Sequence, residues 1–244
     1  MAENQHWVPK FLIKQFVHKG RVYQLDIHTD EVSWPPPRLA ASEEGFNDFI
    51  IDGEAVSFED SLEKIETPAA PIIKRIVESK TLSGLNSQDR RRIAEFIAAQ
   101  SIRTKAFYEG MADKPARDAF GATFQSMWDS ISITAGMIAA RPWVLLVIPG
   151  DDVFYLGDNP VILQWTETPG AGGSLGFDVD GVEAYLPLSP IRLRPGRRCA
   201  WHRWTASRPS GTGCSSVRAE CKQLLLAAET VGEPPELRTV RLHP

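Results

Sequence analysis

The sequence predicts an α+β fold, in which an N-terminal hairpin precedes a central bundle of about four helices and C-terminal antiparallel strands. Short extended segments lie near the N-terminus, helical apolar periodicity dominates residues 58–131, and short apolar runs separated by turn signals return after Pro142. Strands and helices that are segregated along a chain are typical of α+β folds, because alternating α/β folds interleave them.

The N-terminal elements come first. Residues 7–17 form the first predicted element. Pro9 suits the first turn of a helix there, because its missing N–H would have no partner in that turn. The pattern of residues 21–27 and 31–34 predicts a hairpin. Pro35 begins a run of three prolines, whose backbone is predicted to be in an extended conformation.

Four helices are predicted next. Ser57 and Asp60 have the spacing of a capping box for the first helix, and the pair Thr67–Pro68 predicts that this helix restarts and runs to about residue 77. Asn86 is predicted to cap a third, longer helix that reaches about residue 110. The fourth begins near residue 115, and we interpret its broad apolar stripe as a core face.

The C-terminal strands are predicted from short apolar runs. Residues 143–148 and 153–156 flank the strong turn signal PGDD and predict a hairpin. Residues 161–165 and 183–188 are further strands, separated by a glycine-rich stretch. That stretch lacks the GK[ST] ending of a phosphate-binding loop and is interpreted as a surface loop.

Composition narrows the class of protein. Of the 244 residues, 43% are hydrophobic and 24% charged, which is typical of a globular chain. No apolar run reaches 18 residues, and the N-terminus has no secretory pattern, so no membrane association and a cytoplasmic location are predicted. The three cysteines and five histidines show no metal-ligand spacing, and the sequence leaves any metal or cofactor open.

Two long polar side chains fall on the buried face of the third helix. Gln100 follows Phe96 by four residues, and Arg103 follows it by seven, so both should point inward. A buried amide or guanidinium needs designated hydrogen-bond partners. The structural interpretation ties them to loop carbonyls or to a carboxylate such as Glu63 or Glu66. The functional interpretation is an anion or substrate clamp, for which the arginine fork is suited.

Three further residues are candidates for chemistry. His6 is either a core or capping histidine or a proton-transfer group. Asp158 and Asn159 precede a proline between two apolar runs. They either initiate a turn or present a carboxylate and an amide to a substrate from a strand end.

Five sequence blocks, at residues 6–16, 58–66, 100–104, 157–161 and 187–190, occur in this order along the chain. Together they resemble the bacterial domain-of-unknown-function family 4238. Residues 6–16 resemble its H-Y-V-P opening, residues 100–104 its Q-x-x-R-T helix, and residues 157–161 its S-D-N-P loop, with Gly157 in place of the serine. Residues 58–66 and 187–190 complete the resemblance, which covers about residues 5–190. It implies a shared fold and a shared set of residues, but no activity.

The residues together support two functional hypotheses. The first is a hydrolase for a phosphodiester-like substrate, in which His6 transfers a proton and Asp158, beside Asn159, holds a cation. In this hypothesis Gln100 and Arg103 bind the anionic group. The alternative is a nucleic-acid or protein interaction module without catalysis, in which the same polar residues form a structural core network.

The C-terminal segment has an unusual composition. Residues 1–190 are predicted to form a single α+β domain, and residues 191–244 an atypical arginine-rich tail. Residues 191–218 carry seven arginines, no lysine and no acidic residue, together with Trp201 and Trp204. The tail is interpreted as a nucleic-acid arm, as a disordered segment or as an out-of-frame translation. Residues 220–229 are predicted to form a short helix.

Overall fold

The computed structural model describes residues 4–26, 29–112, 117–147, 154–165, 175–190 and 224–229, with the backbone alone at 109–112, 117–120, 122 and 224–229. Within these residues, strands lie at both ends and helices between them, which confirms the α+β class. No helix in the described ranges is long and apolar enough to span a membrane.

The N-terminal strands are β1 Asn4–His6, β2 Val17–His18, β3 Arg21–Val22, β4 Gln24–Asp26, β5 Glu31–Ser33, β6 Ser42–Glu44, β7 Asp48–Ile51 and β8 Glu54–Ser57. The helices are α1 Lys10–Ile13, α2 Glu59–Ser79, α3 Ser87–Ile102, α4 Lys105–Ala112, α5 Arg117–Asp129 and α6 Ile131–Ala140; a 3₁₀ turn at Lys14–Phe16 follows α1. The C-terminal strands are β9 Trp143–Leu146, β10 Ile162–Trp165, β11 Val182–Pro190 and β12 Leu224–Glu229.

The N-terminal strands form four antiparallel pairs, β1 with β6, β2 with β3, β4 with β5, and β7 with β8. The β4–β5 pair confirms the predicted hairpin, with Leu25 opposite Val32. Pro9 is the N-cap of α1, and Leu12 and Ile13 of that helix are buried, so the opening segment packs onto the core as its apolar residues predict.

Helix α2 runs without interruption through Pro68 and Pro71, so the predicted restart at Thr67–Pro68 is wrong. A proline removes the hydrogen bond to the carbonyl four residues earlier, here those of Lys64 and Thr67. Both of these residues are exposed, so water can satisfy their carbonyls. The opposite face of the helix is buried, and its packing holds the helix together across the prolines.

The two predicted N-caps have different outcomes. Ser57 belongs to β8, and its hydroxyl donates to Asp48 Oδ1 at 2.6 Å, so it does not cap α2 and the predicted capping box is wrong. The β7–β8 pairing holds this serine in an extended strand, where the acceptor lies across the ladder. Asn86, in contrast, accepts from the backbone N–H of Asp89 at 2.8 Å, which confirms it as the N-cap of α3.

The core lies where α3 crosses α2 and α6, and where α5 packs on β7. Phe124 of α5 is fully buried and stacks on Phe49 of β7 with ring centroids 4.6 Å apart. Phe58, Trp128 and Tyr108 also belong to this aromatic cluster. The stripe predicted as a core face therefore packs in the core wherever its side chains are described.

The C-terminal sheet has the strand order β10-β11-β12-β9. β10 and β11 are antiparallel, with Ile162 opposite Tyr185, which confirms the predicted antiparallel strands, whereas β12 runs parallel to both of its neighbours. Residues 154–156 lie in no strand, so within the described residues β9 pairs with β12 and not with the predicted hairpin partner.

Residues 224–229 form β12, so the helix predicted over residues 220–229 is wrong for this part. The segment lies between β11 and β9, and as a strand it supplies backbone hydrogen bonds to both of them. Such tertiary pairing overrides local helix propensity. The division of the chain at residue 190 stays a prediction.

Candidate functional site

The polar residues of α3 are placed by a break in the chain. The structure ends α3 at Ile102, so the predicted continuation to residue 110 is wrong. Arg103 leaves the helical conformation at φ −101° and ψ 63°. The Thr104 hydroxyl then accepts from the backbone N–H of Phe107 at 3.2 Å, as an N-cap does, and α4 begins at Lys105. The break turns the Arg103 side chain toward α2.

Arg103 is buried with two partners. Its Nη1 lies 2.5 Å from Glu66 Oε1 on α2, and its Nη2 donates to Gln100 Oε1 at 3.0 Å. The Arg103 side chain is 3% exposed and that of Glu66 is 24% exposed. A charge so poorly accessible to water needs a counter-charge, and Glu66, one of the two carboxylates expected from the sequence, supplies it.

Gln100 joins this pair to the opening segment. Its Nε2 donates to the backbone carbonyl of Trp7 at 2.7 Å and also lies 3.3 Å from the carbonyl of Arg103. With its Oε1 accepting from Arg103, both ends of the buried amide are used. The amide therefore links residues 93 positions apart and holds the N-terminal segment against α3.

His6 lies beside this linkage. It is half-buried in β1, and its Nε2 lies 3.4 Å from the carbonyl oxygen of Pro37. That oxygen can only accept, so the contact is a hydrogen bond in the tautomer that carries its proton on Nε2. Burial lowers the pKa of His6, and the charges of Lys10 and Arg103 act in the same direction, against the Pro37 contact and the charge of Glu59. The imidazole is thus held toward its neutral form, which can accept a proton.

The lowered pKa of His6 has a consequence for stability. Below the ordinary value of 6.5 the unfolded chain binds more protons at this residue than the folded chain does. We therefore expect His6 to contribute stability above that value and to lose it as the pH falls through 6.5 toward the folded-state pKa. The change His6→Asn should remove this pH dependence. Chemical unfolding between about pH 5 and 8 measures it, and an NMR titration of His6 with a midpoint at or above 6.5 would contradict it.

Asp158 and Asn159 are placed differently. Both are exposed at a bend before β10, and the following Pro160 is buried. Across the described ranges, no hydrogen bond or ion pair joins either side chain to His6, Gln100 or Arg103. The structure thus brings together three of the five predicted site residues, and it does not link the other two to them.

A second polar cluster adjoins the first and was not anticipated from the sequence. Asn47 is fully buried; its Nδ2 donates to Glu59 Oε1, its backbone N–H donates to Gln5 Oε1 at 2.5 Å, and Tyr108 Oη lies 3.5 Å from its Oδ1. Gln5 Nε2 in turn donates to Asp48 Oδ1 at 2.8 Å. The turn signal in residues 45–48, Gly-Phe-Asn-Asp, is the one local hint of this cluster.

The two clusters are electrostatically connected. Burial raises the pKa of the Tyr108 hydroxyl, and the charges of Arg103 and Glu59 both act on that group. The same two charges act on His6. His6, Arg103, Glu59 and Tyr108 therefore share one partly buried polar region between the opening segment, α2 and α4.

Two buried donors in this region lack acceptors. Within the described part of the chain, Trp7 Nε1 and Arg103 Nε have no hydrogen-bond partner. Such groups are rare in folded proteins because each forfeits its hydration. They would fit an acceptor atom from outside the chain, such as an oxyanion or a water. No group of three or more His, Cys, Asp or Glu side chains among the described residues could hold a metal ion.

The predicted nucleic-acid arm cannot be compared with the structure. The seven arginines of residues 191–218 lie outside the described residues. A nucleic-acid partner for this segment therefore stays a prediction.

The family predicted from the sequence is confirmed over residues 4–131, and the predicted blocks at residues 157–161 and 187–190 lie outside the match. The model of the family described as "Protein of unknown function (DUF4238)" matches residues 4–131. These residues include His6, Gln100 and Arg103, and they stop short of Asp158 and Asn159. No curated protein and no solved structure matches the chain.

Proposed function

The chain belongs to the DUF4238 family of proteins of unknown function, and on that premise we propose that it is a protein-interaction module without catalysis. In this proposal His6, Gln100 and Arg103 belong to a structural core network that orders the opening segment. The partner is bound by exposed surface elsewhere on the module.

The observation that carries the proposal is that both terminal nitrogens of the Arg103 guanidinium already have partners within the chain. A guanidinium binds phosphate through two neighbouring N–H groups that face an open cleft. Here Nη1 is paired with Glu66 and Nη2 with Gln100, and the side chain is 3% exposed. An incoming phosphate would have to displace Glu66, whose negative charge also repels it. The geometry thus favours a closed network over an anion clamp.

The charge of residues 22–63 favours a protein partner over a nucleic acid. Residues 22–63 contain eleven acidic residues and one basic residue, Arg38. Binding of DNA or RNA draws most of its affinity from lysine and arginine contacts to phosphates. A surface of the opposite sign repels the phosphate backbone and attracts basic polypeptides.

Hydrolysis of a phosphodiester-like substrate is the second candidate, and one observation favours it. The half-buried His6 is held toward its neutral form, and the unpartnered donors Trp7 Nε1 and Arg103 Nε belong to the next residue in the chain and to a residue whose charge acts on His6. A neutral imidazole can accept a proton, and an unpartnered N–H group can donate to an anion. The candidate lacks a linked role for Asp158 and Asn159, which are exposed.

The two candidates differ in a direct assay. The full chain would be incubated with bis(p-nitrophenyl) phosphate in the presence of Mg²⁺ or Mn²⁺, alongside the variants His6→Ala and Asp158→Ala. His18→Ala, a histidine in β2 outside the polar region, is the matched control. A parallel NMR titration with inorganic phosphate would follow the side-chain N–H groups of Arg103 and Trp7.

We expect no turnover that depends on His6, and no phosphate-induced shift of the Arg103 or Trp7 resonances. Turnover that is lost in His6→Ala and Asp158→Ala but kept in His18→Ala would overturn the proposal and establish the hydrolase. Phosphate binding at Arg103 without turnover would also contradict it, because the network would then be a ligand site.

A further inference from the structure

The strand β10 forms one edge of the C-terminal sheet. The sheet has the order β10-β11-β12-β9, and among the described residues β10 pairs with β11 alone. Every second residue of an antiparallel edge strand points its N–H and C=O groups away from the sheet, where they can pair with another strand. The outer side of β10 is therefore a row of backbone donors and acceptors.

The side chains of β10 leave this edge unprotected. Charged side chains, prolines and bulges block many natural edge strands. The residues of β10, Ile162–Trp165, include no charged residue and no proline, and they pair with β11 in a regular register. Ile162 is 47% exposed, and Gln164 is exposed as well. An exposed, uncharged edge of this kind is a template for the addition of a further strand.

The opposite edge of the sheet is less accessible. That edge is β9, in which no residue is exposed and Trp143 is buried. The guanidinium of Arg90 lies over the Trp143 ring, 4.3 Å from its centroid, and donates to the carbonyls of Ala139 and Arg141 just before the strand. Of the two edges, β10 is therefore the one that another strand can reach.

The two faces of β10 differ in a way that limits how the strand can pair. Leu163 packs against the core, whereas Ile162 and Gln164, one position to either side, are exposed on the outer face. Directly opposite residues of an antiparallel pair share a face. Two copies of β10 can thus pair about a twofold axis at Leu163, with Ile162 of each copy opposite Gln164 of the other. This register keeps the helices of both copies on the same side of one continuous sheet.

We propose that the edge of β10 is an interface between two copies of this chain, which join their C-terminal sheets into one sheet with four strands from each copy. The inference goes beyond the proposed function and does not depend on it. The residue pattern is self-complementary, as a twofold interface requires. The strand is uncharged, so a second copy meets no repulsion between the pairing residues, and a charged segment of another protein gains no ion pair with them. Because two such short strands bury little area, the association is weak and reversible.

Two double variants of the full chain test this register. Ile162→Glu with Gln164→Lys places opposite charges across the twofold axis, and Ile162→Lys with Gln164→Lys places like charges there. Both variants alter exposed positions and carry the same change at residue 164, where the new lysine faces Glu183 of its own chain. Sedimentation velocity from about 10 µM to about 1 mM measures self-association, and chemical unfolding checks that both variants fold.

We expect the wild type to form a dimer at the higher concentrations. The like-charge variant should raise the dimer dissociation constant at least about tenfold, because two pairs of lysines would face each other. The opposite-charge variant should keep the wild-type dissociation constant within about threefold or lower it further. In hydrogen exchange, the outward N–H groups of β10 should become at least about tenfold better protected as the wild type dimerises, and those of β9 should not.

A wild type that stays monomeric up to about 1 mM would overturn the proposal. Equal dissociation constants for the two double variants would do the same, because the introduced charges would then not meet across the axis. If either variant does not fold, hydrogen exchange of the wild type decides. A dimer whose β10 N–H groups gain no protection would have its interface elsewhere on the chain and would contradict this one.

Discussion

Replacing Glu66 by leucine is expected to lower the free energy of unfolding by about 3 kcal/mol. The change leaves the guanidinium of Arg103, 3% exposed and always charged, without its counter-charge in the interior. Removing one partner of a buried pair is more harmful than removing both, since the remaining charge stays desolvated. Chemical unfolding of the wild type and the variant measures the difference.

Variants of Arg103 test whether the buried ion pair with Glu66 stabilises the fold. Arg103→Met should be less harmful than Glu66→Leu, because the 24%-exposed carboxylate that remains can regain water. The double variant should recover part of the loss. Glu78→Leu, which removes the exposed pair of Lys74 and Glu78, is the matched control and should cost less than about 1 kcal/mol. If Glu66→Leu cost no more than Glu78→Leu, the network would have no structural role.

Replacing Gly121 by alanine is expected to destabilise the protein by about 2 kcal/mol. A β-carbon at this position of α5 would lie 2.9 Å from Ile51 Cγ1 and closer still to the backbone carbonyl oxygen of Ile50. A backbone atom of β7 cannot rotate away as a side chain can, so the helix and the strand must separate. This effect outweighs the gain of about 1 kcal/mol that alanine normally brings to a helix interior.

Gly136 of α6 is the matched control. The nearest atom to a β-carbon there is Arg91 Nη1 at 3.7 Å, an ordinary contact. Gly136→Ala should therefore stabilise the protein by about 0.5–1 kcal/mol, because it reduces the freedom of the unfolded chain. Thermal or chemical unfolding of the two variants should change in opposite directions. A stabilising Gly121→Ala would show that α5 does not approach β7 so closely.

The candidate site was only partly predictable from the sequence. Helical spacing placed Gln100 and Arg103 inward, and burial required partners, for which the sequence offered loop carbonyls or a carboxylate such as Glu63 or Glu66. The structure pairs Arg103 with Glu66. No spacing could predict that Gln100 bonds the carbonyl of Trp7, since that contact depends on how two distant segments pack. Asn47 has no periodic signal at all, because it lies in a turn whose burial is decided by the helices around it.

Local signals were misleading where tertiary packing opposed them. Pro68 predicted a break in α2, but the buried face of the helix extends beyond it and the freed carbonyl is on the exposed side. The inverse happened at Arg103, where apolar spacing predicted a longer helix and the Thr104 cap ended it. The energies of one proline or one cap are comparable to those of a few packed side chains, so neither decides alone.

The sequence by itself determined the class of fold, the Asn86 cap, the β4–β5 hairpin and the inward direction of Gln100 and Arg103. Each of these follows from patterns among residues that are close to one another in the sequence. Only the tertiary structure decided that β12 lies between β11 and β9, that Glu66 and Gln100 occupy the Arg103 fork, and that Asp158 is exposed. These depend on contacts between residues far apart in the chain, and the free energy of such contacts exists only once the core has packed.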